Sequence, residues 1–292
     1  MKGLLLLNKP GGITSFGAVA AVRRLAGERR VGHTGTLDPM ATGVLPILVG
    51  RATVLSDYLL SADKKYTAAA KLGILTDTLD ITGNVLEESD KTVDNAAVLS
   101  ALESFKGKYL QTPPMFSAIK KDGVRLYDIA RKGGTTEIPP REVCIYEINE
   151  TGALNENGEF AFSATVSKGT YIRSLVRDIG EKLGTHATLT NLVRTETAGF
   201  PLENCVSLDL LTAENIGRYI MPAEKALPHL KSVHVTEKQG VRCYNGGALS
   251  LERVNTNGAA DGEILKVFSN AGFLGLGAVS GEKGLLTVKC IV

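Results

Sequence analysis

The apolar positions of this chain follow two rhythms, one of strands and one of helices. Gly3 to Asn8 is an apolar run of the length of one buried strand, and Lys9-Pro10-Gly11-Gly12 ends it before Thr14 or Ser15 caps a helix. In that helix Phe16, Val19 and Ala20, then Val22, Leu25 and Ala26, follow helical spacing, with Gly27 as the stop. Val44-Leu45-Pro46-Ile47-Leu48-Val49 is a second dense apolar block. Tyr66 to Gly73 reads as a strand leading into the polar Thr76-Asp77-Thr78-Leu79-Asp80, and a helix is predicted over about 93–105 from a cap at Thr92 or Asp94. Phe160 to Val166 alternates as a strand, and Lys168-Gly169-Thr170 turns the chain into a helix at about 171–183. From about His229 the texture changes to Gly-Gly and Asn-Gly turns between short alternating stretches, without a long helical pattern, which predicts a small β-barrel. A division into residues 1–228 and 229–292 follows, with the boundary near Pro228.

Composition bounds this picture without deciding it. A chain of 292 residues is long enough for about two domains with a full core. The net charge of +2 means that any nucleic-acid binding rests on local patches and not on an overall basic field. Cys144, Cys205, Cys243 and Cys290 form no CxxC pair, and the four histidines show no ligand spacing with them, so neither a zinc site nor a disulfide framework is expected. The run Leu4 to Leu7 is too short for a signal-peptide core and nothing approaches membrane-spanning length, so a cytoplasmic protein without a membrane partner is expected. The most basic stretch is 106–141, with eight positive charges against Asp122, Asp128 and Glu137. Its Pro113-Pro114, Met115, Phe116 and Tyr127 add the apolar and aromatic contacts that RNA binding uses.

Chemistry concentrates at residues 33–46, His-Thr-Gly-Thr-Leu-Asp-Pro-Met-Ala-Thr-Gly-Val-Leu-Pro. Two glycines, two prolines and three threonines cannot continue a helix or a central strand, so an elaborate loop is expected. Asp38 has hydroxyl and backbone donors around it and no adjacent Asp, Glu or Cys, which does not suggest a metal. Two roles stay open on these residues alone: a cap for the Asp-Pro turn, the simpler of the two, and a lone nucleophile or general base. A hydrolase would need a second carboxylate or a triad partner, and the motif holds none.

The pattern G-H-T-G-T-L-D-P-x-A-T-G-V-L-P is complete from Gly32 to Pro46 and resembles the central motif of the TruB-type tRNA pseudouridine synthases. Leu6-Leu7-Asn8-Lys9-Pro10-Gly11-Gly12-Ile13-Thr14-Ser15, Lys65-Tyr66 with Leu72-Gly73, and Ser167-Lys168-Gly169-Thr170-Tyr171-Ile172-Arg173-Ser174-Leu175 resemble further family blocks in the expected order. The stretch 229–292, including Gly272-Phe273-Leu274-Gly275-Leu276-Gly277, is more loosely similar to a PUA domain. The resemblance implies an α+β fold: a mixed, mainly antiparallel pseudouridine-synthase-like sheet flanked by helices, with a small PUA-like β-barrel after it.

The implied activity is isomerisation of the T-loop uridine of tRNA, position 55, after the nucleotide is flipped out. Asp38, Tyr66 and Arg173 are the implied catalytic residues. Arg173 partners Asp38, as a nucleophilic carboxylate needs a fixed cation to stay ionised and aimed. Tyr66 stacks on the base and its hydroxyl serves proton transfer. His33 takes the space that the flipped base vacates, Leu192 closes the pocket beneath it, and Lys9, Lys168 and Tyr171 are further substrate-binding candidates in these blocks. The stretch 106–141 corresponds to an insertion that clamps the T-arm. No metal or organic cofactor and no obligate protein partner is implied, and a monomer is expected. A non-catalytic RNA-binding factor on the same scaffold is disfavoured by the intact Asp38, Tyr66 and Arg173. An RNA-guided synthase is disfavoured by the lack of long basic tails.

Overall fold

The computed structural model describes residues 1–121 and 123–292; Asp122 and the Arg125 side chain, both counted in the basic stretch, lie outside the described residues. Its larger part is an eleven-stranded sheet. The principal strands are β1 (Gly3–Lys9), β2 (Val31–His33), β3 (Thr42–Val49), β4 (Lys64–Leu72), β5 (Gly107–Gln111), β6 (Arg141–Gly152), β7 (Glu159–Val166) and β8 (Ala187–Thr197). Along the sheet the order is Val206–Ser207, β1, β3, β8, β4, β7, β6, β5, with β2 pairing beside β3. Only the β1 contact with Val206–Ser207 and the β3–β8 contact are parallel; the remaining pairs are antiparallel. This is the mixed, mainly antiparallel sheet that the resemblance implied.

The unbroken apolar run of β1 has a physical reason, since both faces of the strand are covered. Leu5 and Leu7 pack against Ala18, Val19 and Val22 of the helix α1 (Ser15–Ala26), while Leu4 and Leu6 join a cluster with Leu276 and Val292 of the C-terminal module. Full burial of each such side chain is worth about 1.5–3 kcal/mol. The Thr14 hydroxyl accepts from the Gly17 amide at 2.9 Å to start α1, and Gly27, at φ 59°, ends it. Phe16, expected on the apolar face, is exposed; the buried stripe is Ser15, Ala18, Val19, Val22 and Ala26, one position around the helix. The helices α2 (Asn95–Ser104) and α3 (Ile172–Lys182) cover the other end of the sheet, over Ala68, Ala70, Phe160, Phe162 and Leu189.

One expectation is corrected here. The loop at 33–46 is shorter than its glycines and prolines imply, because Thr42 already begins β3, an inner strand. Pro46 sits within that strand opposite Leu6, and its carbonyl accepts from the Thr34 amide at 3.1 Å. In a strand the N–H and C=O of one residue point to the same side, so the donor that Pro46 lacks would face the end of β2 and not β1. Gly107–Gln111 likewise belongs to the sheet, so the basic segment outside it spans 112–140, with the hairpin Lys120–Lys121 and Val124–Arg125 and the short helix Leu126–Ala130.

The C-terminal module is a five-stranded sheet in the order β9 (Ser232–His234), β11 (Ile264–Ser269), β12 (Gly272–Ser280), β13 (Leu285–Ile291), β10 (Leu249–Ser250). Its two edge strands do not pair with one another, so the barrel is only partly formed. It also holds a helix that apolar spacing did not reveal, α4 (Glu237–Tyr244), whose signal is a capping box of Thr236 and Gln239. No helix among the described residues is long and apolar enough to cross a membrane.

Candidate active site

The Asp38 loop is held from three directions. From β1, the Lys9 ammonium donates to the carbonyls of Pro10 and Ile13 at 2.8 Å and of Pro39 at 3.2 Å. From α1, the Ser15 hydroxyl donates to the Leu37 carbonyl at 3.0 Å and accepts from the Leu37 amide at 2.9 Å. From β8, Arg194 Nε donates to the Val44 carbonyl at 2.8 Å and Nη2 to the Gly35 carbonyl at 3.0 Å. Gly43 has to be glycine: at φ 105° a Cβ would lie 2.2 Å from the Arg194 carbonyl oxygen, where β3 and β8 meet.

On this rigid loop Asp38 meets Arg173, from the first turn of α3. Arg173 Nε donates to Asp38 Oδ2 at 2.8 Å and Nη2 to Oδ1 at 2.9 Å, a bidentate pair. The guanidinium also donates from Nη1 to the Thr78 carbonyl and from Nη2 to the Phe116 carbonyl, at 2.8 and 2.9 Å. Asp80 adds a second carboxylate, 3.8 Å from Nη1. Arg173 is 4% exposed and Asp38 30%, so the cation is immobilised inside while one side of the anion faces out.

Tyr66, on β4, and Leu192, on β8, are buried in the cluster that contains Leu37 and Ala41, the residues flanking the Asp38 turn. Tyr171 caps α3, with its amide donating to Gln111 Oε1 at 2.8 Å, and burial pushes its phenol above the ordinary value. His33 is half-buried at the end of β2, edge-on to exposed Phe16 with centroids 5.2 Å apart. Burial, with the Arg194 charge, holds His33 below its ordinary value, and so neutral at pH 7, and its Nδ1 has no partner among the described residues. Lys168 is exposed in the turn before α3. Lys9 lies elsewhere than a substrate-contacting residue would: it is fully buried and all three ammonium protons are spent on carbonyls, so it braces the loop from behind.

Sequence reasoning passed over Asp80, Arg194 and Lys64. For Asp80 a signal existed in the run Thr76-Asp77-Thr78-Leu79-Asp80, where hydroxyls alternate with carboxylates before Thr82. Leu79 takes φ 62°, a left-handed conformation costly for a branched residue, and this kink turns the Thr78 carbonyl and the Asp80 carboxylate towards Arg173. Asp80 is in turn held by the Thr78 hydroxyl at 2.9 Å and the Thr82 amide at 3.0 Å. Among the described residues no three His, Cys, Asp or Glu side chains converge where a metal ion would sit. A carboxylate fixed on a buried guanidinium and open on one side, on a loop whose flanking residues pack in one cluster with Tyr66 and Leu192, is equipped to act as a nucleophile or base.

Residues 23–172 match the model of the TruB family pseudouridylate synthase N-terminal domain, and residues 173–228 that of the tRNA pseudouridylate synthase B C-terminal domain. The junction of the two falls in the first turn of α3, so the Asp38–Arg173 pair bridges them. The chain is 42% identical over 294 residues to the tRNA pseudouridine synthase B of Clostridium tetani, covering all of both proteins. It is 41% identical over 261 residues to that of Geobacillus thermodenitrificans, covering 86% of each. Among solved structures it resembles a chain of a Cbf5-Nop10-Gar1 complex, with a TM-score of 0.75 at 24% identity over 99% of this chain and 84% of that one. A chain of the archaeal box H/ACA sRNP Nop10-Cbf5 complex matches with a TM-score of 0.73 at 25% identity, over 99% and 85%. The first of these likenesses is one of fold, whereas the full-length relatives and the family model, which spans half of the chain, establish descent: the chain belongs to the TruB family of pseudouridylate synthases.

Proposed function

We propose that the protein converts uridine to pseudouridine in tRNA, at the T-loop uridine, with Asp38 reacting at the flipped-out nucleotide. The observation that carries this reading is the bidentate Asp38–Arg173 pair, with its anion open and its cation closed, on a loop that holds the whole family motif. The reaction breaks the C1′–N1 bond, turns the uracil, joins C1′ to C5, releases the C5 proton and leaves a proton on N1. No electrons are exchanged and the product is an isomer of the substrate. Asp38 begins it at C1′, at C6, or by taking a ribose proton to give a glycal, and each route needs a carboxylate anion held against the nucleoside. Tyr66 stacks on the base, and its hydroxyl or a water it holds removes the C5 proton. Leu192 closes the pocket beneath, His33 fills the vacated stack, and Tyr171 and Lys168 line the approach. Lys9 acts through the loop and touches no substrate.

In this reading residues 1–228 carry the chemistry, the segment 112–140 grips the T-arm and 229–292 add RNA contact. The enzyme works on free tRNA in the cytoplasm, as a monomer and without a partner protein. Full-length relatives named for tRNA support the substrate. Carbodiimide-adduct primer extension on an unmodified tRNA transcript tests it. A new stop at the T-loop uridine is expected after incubation with the protein, and binding without any stop would overturn the enzymatic reading.

A further inference from the structure

Arg194 is 1% exposed and forms no ion pair among the described residues. Its Nε and Nη2 are bonded to the carbonyls of Val44 and Gly35, and Nη1 donates to no protein group among the described residues. A guanidinium keeps its charge wherever it is buried, so a site of this kind carries an uncompensated cation. Nη1 lies beside Gly35. A Cβ built on Gly35, which has φ 104°, would meet Arg194 Nη1 at 3.5 Å and Lys64 Cε at 3.9 Å, so the bare face of this glycine is walled by two cationic side chains. Among the described residues Lys64 also has no ion pair; its ammonium folds back onto the carbonyls of Leu60 and Ala62. The neighbouring Asp63 carboxylate instead accepts from the Tyr146 hydroxyl. Lys168 stands two residues beyond Val166, which lies directly opposite Lys64 across β4 and β7. The pKa of Lys64 is pulled down to about 8, by burial first and then by the Arg194 charge, with Lys168 adding to the effect and Asp63 opposing it. Arg194 in turn lies opposite Tyr66 across β8 and β4, and Gly35 is three residues from Asp38, so these cations adjoin the candidate active site.

We infer that the bare face of Gly35, between Arg194 Nη1 and Lys64 and with Lys168 at its rim, seats one phosphodiester of the RNA strand beside the nucleotide presented to Asp38. This rests on the tRNA reading above and adds to it a place and a chemistry for holding the backbone. A phosphodiester carries one negative charge and accepts from several donors at once, which matches an unused N–H and a neighbouring ammonium beside a glycine that has no side chain of its own. Such a contact fixes the register of the strand without reading its bases. The Lys64 ammonium moves from the two carbonyls to the phosphate when RNA binds.

The test uses T-arm stem-loops that are all-phosphate or carry a neutral methylphosphonate immediately 5′ or 3′ of the target uridine, with wild type, Lys64→Gln and Lys168→Gln. Dissociation constants across a salt series and single-turnover pseudouridine yields are read together. One of the two methylphosphonates is expected to weaken wild-type binding about tenfold, and Lys64→Gln to weaken all-phosphate binding by about as much. Lys64→Gln should then lose less than wild type to that methylphosphonate, and its log Kd against log salt slope should fall by roughly 0.7. Lys168→Gln, an exposed change that does not threaten folding, should give a smaller loss at the same phosphate. Unchanged binding by Lys64→Gln, or losses that simply multiply with both methylphosphonates, would overturn the seat. A wild type that binds but yields no pseudouridine in all-phosphate RNA would instead overturn the tRNA synthase reading, so the two failures are distinct.

Discussion

Arg173 and Arg194 reach the same loop from α3 and β8, both almost wholly buried, and they differ in what they face. Arg173 meets Asp38 in a bidentate pair, has Asp80 beyond and donates to two further carbonyls. Among the described residues Arg194 has carbonyls alone and one idle Nη1 beside Gly35. In the first corner two carboxylates more than match the one cation, which can only aim and stabilise the anion it holds. The second has charge left over for an anion from outside. Burial by itself therefore says little about the role of a cation; the inventory of its partners does.

The comparison breaks most severely if the internal pair is cut. Arg173→Met strands Asp38 and buried Asp80 without their cation, a loss of about 3–5 kcal/mol in a buried pair, and single-turnover isomerisation should slow about a thousandfold. RNA affinity, which belongs to the other corner, should change far less; comparable losses in both would show that the corners are one unit. Asp80→Asn keeps the hydrogen bonds that Thr78 and Thr82 give it and removes only a charge 3.8 Å from Nη1, so a slowing of roughly tenfold is expected from rapid-quench time courses.

The open corner is sharpened by pH. Lys64 loses its charge near pH 8, below the ordinary lysine range, so wild-type affinity for RNA should fall between pH 7 and 9. Lys64→Gln removes that component, and its pH profile should be flatter over the same window; parallel profiles would place the titration elsewhere. Lys9 gives the smallest effect. Burial first lowers its value to about 8 against an unfolded 10.5, although the Asp38 charge opposes this, so between those values the unfolded chain binds more protons. Stability of wild type should consequently rise across pH 8–10.5 relative to Lys9→Met, as followed by urea midpoints, and a gap that is constant or narrows would contradict the burial of a charged lysine.

What the chain displays in sequence and what it conceals divide along the same lines. Asp38 and Arg173 were legible because they lie in contiguous motifs whose residues carry the resemblance, and β1, β4 and β7 because their apolar runs are continuous or alternating. Arg194 and Lys64 were not, since their role arises only where β8 lies beside β3 and β4, and no spacing along the chain records that crossing. The bracing position of Lys9, a substrate-binding candidate by resemblance, was hidden for a related reason: only the fold of the Asp38 loop over it brings the Pro39 carbonyl to its ammonium. Pro46 within a strand and the short helix α4 were hidden by local rules that the neighbouring elements override.

The central claim is that Asp38 is the reacting group, and release of tritium from C5 of the target uridine in a single turnover tests it most directly. With Asp38→Asn, which keeps the size of the side chain and removes its charge, the account predicts tRNA binding within a few-fold of wild type and no tritium release on the time scale of the wild-type reaction. Release from Asp38→Asn at the wild-type rate would contradict it.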